Sequence, residues 1–282
     1  MNRLFVDNLT VIDFAFLDSK RGIVGESWIV DVELEGELDE QGMVFDFGEI
    51  KKSLKNLVDE IADHKLIVAA KMPGLVVKQT DNRHDIGFHN QQGEKWLHRS
   101  PSAAVLLIDN EEVSPEAVST YLVDQFDQIL PDNVDGVSVV LRTGNTRGAY
   151  YHYCHGLKKH RGNCQRIAHG HRSKIEILVN NLRDEQLEKE WANRLQDIYI
   201  GTREDIDLEA SNRENNLTFC YTAEQGYFAV SLPQRCVYLI ETDSTVEWIA
   251  THIADQIKSQ LPDCDIQVKA FEGVGKGAIA EK

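Results

Sequence analysis

The sequence predicts an α+β fold built twice over, each copy an antiparallel β-sheet with helices packed on one face. Three observations predict it. SPEAVSTYLVDQFDQILPD at 114–132 matches TVEWIATHIADQIKSQLPD at 245–263 without a gap. GESWIVDVELEG at 25–36 aligns with GHRSKIEILVNN at 170–181, both alternating in polarity. Strands and helices also follow one order in each half, segregated as in α+β chains rather than interleaved as in βαβ units.

The elements follow in order from local pattern. The alternating segments read as strands with one face on a core, because successive side chains point to opposite sides. In GMVFDFGEIKKSLKNLVDEIADHKLIV, Leu54, Leu57, Val58 and Ile61 recur at three and four and mark one helical face, and EKEWANRLQDIYIGTREDI repeats that rhythm. Ser114 and Thr245 are N-cap candidates just before Glu116 and Glu247, and Leu-Pro-Asp closes each matched helix. Beyond it, VSVVLRTGNTRGA (137–149) aligns with IQVKAFEGVGKGA (266–278), a strand running into a glycine-containing turn. The order in both halves is strand, strand, helix, strands, helix, strand. The division falls near Arg147, giving units 1–146 and 147–282, and with no Pro/Ser-rich linker the two should dock closely.

Composition excludes some functions. Across 282 residues, acids outnumber bases 46 to 30, for a formal charge of −16, whereas phosphate neutralisation needs concentrated Lys and Arg; no nucleic-acid partner is expected. The opening MNRLFVDNLTVIDFAF interrupts its apolar residues with Asp7, Asn8 and Asp13, unlike a signal peptide, and no run approaches membrane-spanning length. A cytoplasmic protein without membrane partners is the expectation. The 5 cysteines lack CxxC spacing and read as free thiols.

The sharpest chemical feature is YYHYCHGLKKHRGNCQRIAHGHRSKIEI. His169 and His171, two apart at the start of a strand, project from the same face. His155 ends the preceding strand and offers a third nitrogen; His152 and His160 are nearby, and spacing alone does not choose among them. His155 is preferred for its apolar and aromatic neighbours, since His160 sits in a charged loop. Three neutral histidines with an open fourth position suit catalytic rather than structural zinc. Lys158, Lys159, His160 and Arg161 form a local basic excess that reads either as an anion contact or, preferably, as a solvated loop.

At these residues the sequence resembles the 6-pyruvoyl-tetrahydropterin synthase and 6-carboxytetrahydropterin synthase family, whose unit is the T-fold. The family pattern of a histidine ending the first strand, then a cysteine, then HGH is met by His155, Cys164 and His169-Gly170-His171. The first half carries GMVFDFGEIKK, like the family's GMV-x-DF segment, and Asp63-His64, like its Asp-His dyad. TVEWIA and Phe271-Glu272 resemble the family's helix start and pterin-anchoring glutamate.

The resemblance implies two tandem T-fold units and a role for each matched residue. Zn²⁺ would sit on His155, His169 and His171 as a Lewis acid, and Cys164 would transfer protons. Asp63 would orient His64 for proton exchange on the opposite side of the substrate. Glu272 would anchor the pterin, with Thr245 and Ser244 adding hydrogen bonds where they do not simply cap the helix. Neither half holds a full set. Phe16, Val24 and Glu26 align with the three histidines, Thr143 aligns with Glu272, and Gly201-Thr202 stands where the second half would need the dyad. Together the halves hold one set. The implied reaction is a lyase step on 7,8-dihydroneopterin triphosphate, forming 6-carboxytetrahydropterin in the queuosine pathway or 6-pyruvoyltetrahydropterin. The competing class is a non-catalytic pterin-binding or structural paralogue that keeps zinc. Because T-fold units close into rings, a homo-oligomer, a trimer or other small ring, is also implied.

Overall fold

Two long hairpins of alternating residues carry the fold. The computed structural model describes all residues except 1, 39–41, 45–46, 132, 145–146 and 212–214, and all side chains but also those of 47 and 49. The Phe45-Asp46 part of the GMV-x-DF segment, the Asp132 of the first Leu-Pro-Asp and the 145–146 turn at the proposed division therefore lie outside the described residues.

The first half runs β1 (Asn2–Asp18), β2 (Gly22–Gly36), α1 (Phe47–Ile61), β3 (Leu66–Ala69), β4 (Leu75–Thr80), β5 (Arg83–His89), β6 (Lys95–Pro101), β7 (Val105–Ile108), α2 (Pro115–Phe126) and β8 (Val134–Thr143). The second runs β9 (Tyr150–His155), β10 (His169–Val179), β11 (Leu182–Arg183), α3 (Glu185–Arg194), β12 (Ile198–Thr202), β13 (Asn216–Ala223), β14 (Gly226–Pro233), β15 (Val237–Ile240), α4 (Val246–Gln260), β16 (Ile266–Phe271) and β17 (Gly277–Glu281). Among the described residues these form sheets of order β7-β3-β1-β2-β8, β15-β12-β9-β10-β16-β17 and β13-β14-β6-β5-β4. The hairpins are antiparallel as expected, and short parallel strands extend one edge of each, β3 and β7 in the first half and β12 and β15 in the second.

Capping sets the helix starts. Ser114 Oγ accepts from Ala117 N at 3.2 Å with Pro115 in the first turn, and Thr245 Oγ1 accepts from Trp248 N at 3.4 Å. The matched helices end differently. The buried stripe of α2 finishes with Phe126, and so does the helix, leaving Leu-Pro-Asp beyond a following turn; α4 keeps Ile253 and Ile257 buried and runs on to Gln260. A helix of this length persists only while packing supports it.

The third sheet takes strands from both halves, because β6 pairs antiparallel with β14 through Arg99↔Ala229, His98↔Val230 and Leu97↔Ser231. Its inner residues Phe88, Trp96, Phe219 and Phe228 join Phe14 and Trp28 of the first hairpin in one apolar cluster. The hairpins themselves meet at glycines. A Cβ on Gly25 would lie 1.9 Å from Tyr153 O, and one on Gly170 would lie 2.5 Å from Gly25 Cα. Only hydrogen fits there, so the two backbones approach closely and draw β1 and the segment after α1 toward the HGH strand. No described helix is long and apolar enough to cross a membrane.

Candidate active site

Register brings the histidines together. In the β9–β10 hairpin His155 pairs with His169, and His171 lies one period further along the same face. Their ligand atoms fall within 4.8 Å of one another, with His155 Nε2 and His171 Nε2 3.2 Å apart, and all three side chains are buried. Each Nδ1 has an acceptor beside it. His155 Nδ1 is 2.8 Å from Ser244 O and His169 Nδ1 is 2.8 Å from Arg166 O. His171 Nδ1 is 3.2 Å from Asp13 Oδ1, within ion-pair reach though off the hydrogen-bond axis. Protons held on Nδ1 leave the Nε2 lone pairs to converge on one point. Burial pushes the pKa of His155 and His169 well below the usual imidazole range, so both are neutral donors. Three ring nitrogens in this arrangement fit a cation with one position left over.

The first half supplies the facing groups. His64 Nδ1 lies 2.6 Å from Asp63 Oδ2, its Nε2 lies 3.4 Å from Cys164 Sγ, and its ring centre is 4.8 Å from that of His169. Burial alone would strip the His64 proton; hydrogen bonds to the Asp63 carboxylate and the Cys164 sulfur outweigh it and push the pKa up to about 10. His64 has φ of 54°, a left-handed conformation that costs a non-glycine residue energy and needs external support. That support is on hand. His64 N donates to Asp13 O at 2.8 Å, and Asp13 N donates to Asp63 Oδ1 at 2.9 Å. Arg166 Nη1 approaches the carbonyls of Asp63 and His64 at 3.4 and 3.5 Å, while its Nε donates to Gln225 Oε1 at 3.1 Å.

The remaining sequence-selected residues are placed as follows. Glu272 Oε1 comes within 3.9 Å of His171 Nε2 and keeps a quarter of its side chain exposed. Ser244 is buried, offers its carbonyl to His155, and has an Oγ without a hydrogen-bond partner among the described residues; Thr245 caps α4. His152 points away from the triad and meets Gly25 O at 2.8 Å, and His160 is exposed. Acids neutralise both lysines of the basic loop: Lys158 by Asp205 and Glu204 at 2.5 and 2.8 Å, Lys159 by Asp243 at 2.9 Å.

One alignment is corrected. Cys154 pairs with Tyr199 where Ala15 pairs with Leu66, so Gln196-Asp197, not Gly201-Thr202, occupies the dyad position of the second half. Asp197 repeats the backbone of His64 with φ of 56°, but its carboxylate meets Arg21 Nη1 at 3.3 Å. The connection from β2 to α1 is longer than that from β10 to α3, a shift ahead of the helix that matching by helical rhythm alone does not detect. By the same register Glu26 stands for His171 and His152 for Asp13, and that pair, 3.8 Å apart, repeats the acid–imidazole contact with partners exchanged.

Sequence patterns passed over Asp13 and Arg166. Asp13 interrupts the apolar run Val11-Ile12-Asp13-Phe14-Ala15-Phe16, and it is 2% exposed. An acid in a strand this buried must have partners, and that was the available signal. Burial would raise its pKa; His171, Lys276 and Ser27 together hold it well below the usual carboxylate range.

The model of the family described as 6-pyruvoyl tetrahydropterin synthase matches residues 18–153 and again 145–282. A Pyrococcus abyssi protein provisionally named 6-carboxy-5,6,7,8-tetrahydropterin synthase is 26% identical over 133 residues, covering 47% of this chain and 76% of its own. A Pyrococcus horikoshii protein of the same provisional name is 30% identical over 127 residues, covering 45% and 69%. The solved 6-pyruvoyl tetrahydropterin synthase of Plasmodium vivax shares 18% identity, aligning over 50% of this chain and 97% of that one with a TM-score of 0.40. Matched twice in succession over residues 18–282, the chain belongs to the 6-pyruvoyl tetrahydropterin synthase family.

Proposed function

We propose that the chain is a zinc-dependent lyase acting on 7,8-dihydroneopterin triphosphate, forming 6-carboxytetrahydropterin as a queuosine-pathway step, or 6-pyruvoyltetrahydropterin as the close variant. The observation that carries this reading is the meeting of a buried histidine triad and Cys164 from one half with the Asp63–His64 pair from the other. The names of the two archaeal relatives point to the carboxy product. In this reading residues 1–146 form the unit that lends the dyad, and 147–282 the unit that binds metal and pterin.

His155, His169 and His171 would hold Zn²⁺, which when bound supplies Lewis acidity toward the oxygens of the substrate side chain. Cys164 removes a proton from a side-chain carbon, and His64, 3.4 Å from that thiol, returns one. Asp63 stabilises the imidazolium, so that His64 enters the reaction as a proton donor at neutral pH. Glu272 accepts from the 2-amino and N3 protons of the pterin, a paired-donor edge suited to one carboxylate. Ser244 and Thr245, at the start of α4, would add hydrogen bonds to the substrate.

Incubation of the zinc-loaded protein with the triphosphate tests the reading. Release of triphosphate with acetaldehyde is expected for the carboxy product, and release of triphosphate alone for the pyruvoyl product; release of neither overturns the enzyme assignment in favour of a zinc-bearing binding paralogue. Cys164→Ala and His64→Ala are each expected to lower kcat about 10²–10⁴-fold while metal content stays unchanged. The 3.4 Å Cys164–His64 contact favours turnover over binding alone, since a binding protein has no use for a thiol and an imidazole in proton-transfer reach.

The reading extends to a cytoplasmic homo-oligomer, a trimer or another small ring. Strands β4, β8 and β17 end their sheets with unpaired edges among the described residues, which ring closure would cover. Light scattering that finds a monomer at micromolar concentration would reject this assembly.

A further inference from the structure

We infer that Asp13 is a positioning residue: from the first half of the chain it orients the metal ligand His171 of the second half, while its backbone holds the Asp63–His64 pair beside the histidine triad. The inference rests on the metal reading above and assigns a residue that no sequence motif singled out.

The three imidazoles are not oriented alike. His155 and His169 point Nδ1 at carbonyls of their own half, those of Ser244 and Arg166. Only His171 depends on a group from across the interface, the Asp13 carboxylate at 3.2 Å. That carboxylate is itself fixed. Ser27 Oγ donates to Oδ1 at 2.5 Å, and Lys276 Nζ pairs with Oδ2 at 3.0 Å. Gly273, with φ of 70°, passes so close that a Cβ would come within 2.2 Å of Oδ1. The backbone of Asp13 then grips the dyad from both sides, its N–H on Asp63 Oδ1 at 2.9 Å and its carbonyl on His64 N at 2.8 Å. One residue thus sets the distance between the ligand and the proton-transfer pair. A carboxylate behind a ligating imidazole selects its tautomer and strengthens its donor atom. In the other cleft the same two positions carry His152 and Glu26, so the imidazole has moved off the ligand position and the contact persists without a metal set around it. The acid–imidazole contact is therefore a feature of how the hairpins meet, and in one cleft of the two it is directed at a metal ligand.

The test is zinc affinity, measured by competition with a chromophoric chelator on the full chain and on Asp13→Ala and Asp13→Asn, each checked for cooperative unfolding in metal-free buffer. Asp13→Ala is expected to bind zinc about 10–100-fold more weakly than the parent. Asp13→Asn keeps the shape without the charge and is expected to fall between the two, so it decides the matter should the alanine variant not fold. If either variant folds and binds zinc as tightly as the parent, the inference is overturned, and lower stability at unchanged affinity marks a purely structural role. Parent protein that binds no zinc fails the metal reading itself and this inference with it, an outcome distinct from parental binding that the substitutions leave intact.

Discussion

Glu26 shows what becomes of a ligand position once the metal set is gone. It stands in the place of His171, is 8% exposed, and meets the Ser27 N–H at 2.9 Å and the His152 imidazole at 3.8 Å. Burial pushes its carboxyl up to about 7 from the ordinary 4.5, more than the Ser27 hydrogen bond and the charges of Arg172 and Arg21 can offset. With a folded pKa above the unfolded one, the unfolded chain releases its proton first. Stability therefore falls as pH rises from 4.5 through 7. Glu26→Gln is expected to gain up to about 3 kcal/mol at pH 8 and little at pH 4, read from urea midpoints at both; equal midpoints at pH 8 would show the buried charge to be already compensated. The residues of the cleft with the histidine triad were legible for a related reason. His169 and His171 announce themselves by a spacing of two, and Asp63-His64 by adjacency, because each pair is local in the chain. The contact of Asp13 with His171 is not local, and no spacing rule links residues drawn together by the packing of two hairpins.

At the level of elements, the hairpins and helices could be read because their apolar residues recur with the period of the backbone that carries them. Leu54 and Val58 are fully buried on α1, and Ser114 and Thr245 cap the helices they precede. The sheet that joins β6 to β14 could not be read in this way, since alternation says that a strand has two faces and not which strand lies beside it. The hairpin crossing was hidden similarly, for a glycine in a strand signals close approach without naming the partner. Its consequence is open to test. Gly25→Ala would set a methyl 1.9 Å from the Tyr153 carbonyl, a backbone atom that no rotamer change can move aside. The cost expected in denaturant unfolding is about 1–3 kcal/mol or more, with weaker zinc binding as well, because separating the hairpins withdraws Asp13 from His171. Gly136→Ala, whose added carbon meets nothing closer than 4.0 Å, serves as the control and should leave zinc affinity unchanged.

Across the whole molecule the two family units do not behave as beads on a string. Phe88 and Trp96 of the first half share an apolar cluster with Phe219 and Phe228 of the second, and a continuous ladder runs from β4 through β6 into β14 and β13. Unfolding either half would strip the other of part of its core and one side of its sheet, so a single cooperative transition is expected. The candidate ligand set, by contrast, is lopsided: the positions of the first half that correspond to the triad carry Phe16 and Val24, which offer no donor atom, beside Glu26. Metal analysis should thus find one zinc per chain. Joined to the shared core, this asymmetry gives a specific expectation, because a ligand that binds only the native state stabilises everything that unfolds with its site. Free zinc at 100 times its dissociation constant should add about 2.7 kcal/mol to global stability. Hydrogen exchange should register that gain for the slowest amides of β5, far from any metal ligand in sequence, as fully as for those of β16. Protection that rises in β16 while β5 stays unchanged would show that the halves open separately, and the active cleft would then be a contact between two independent domains rather than a product of one fold.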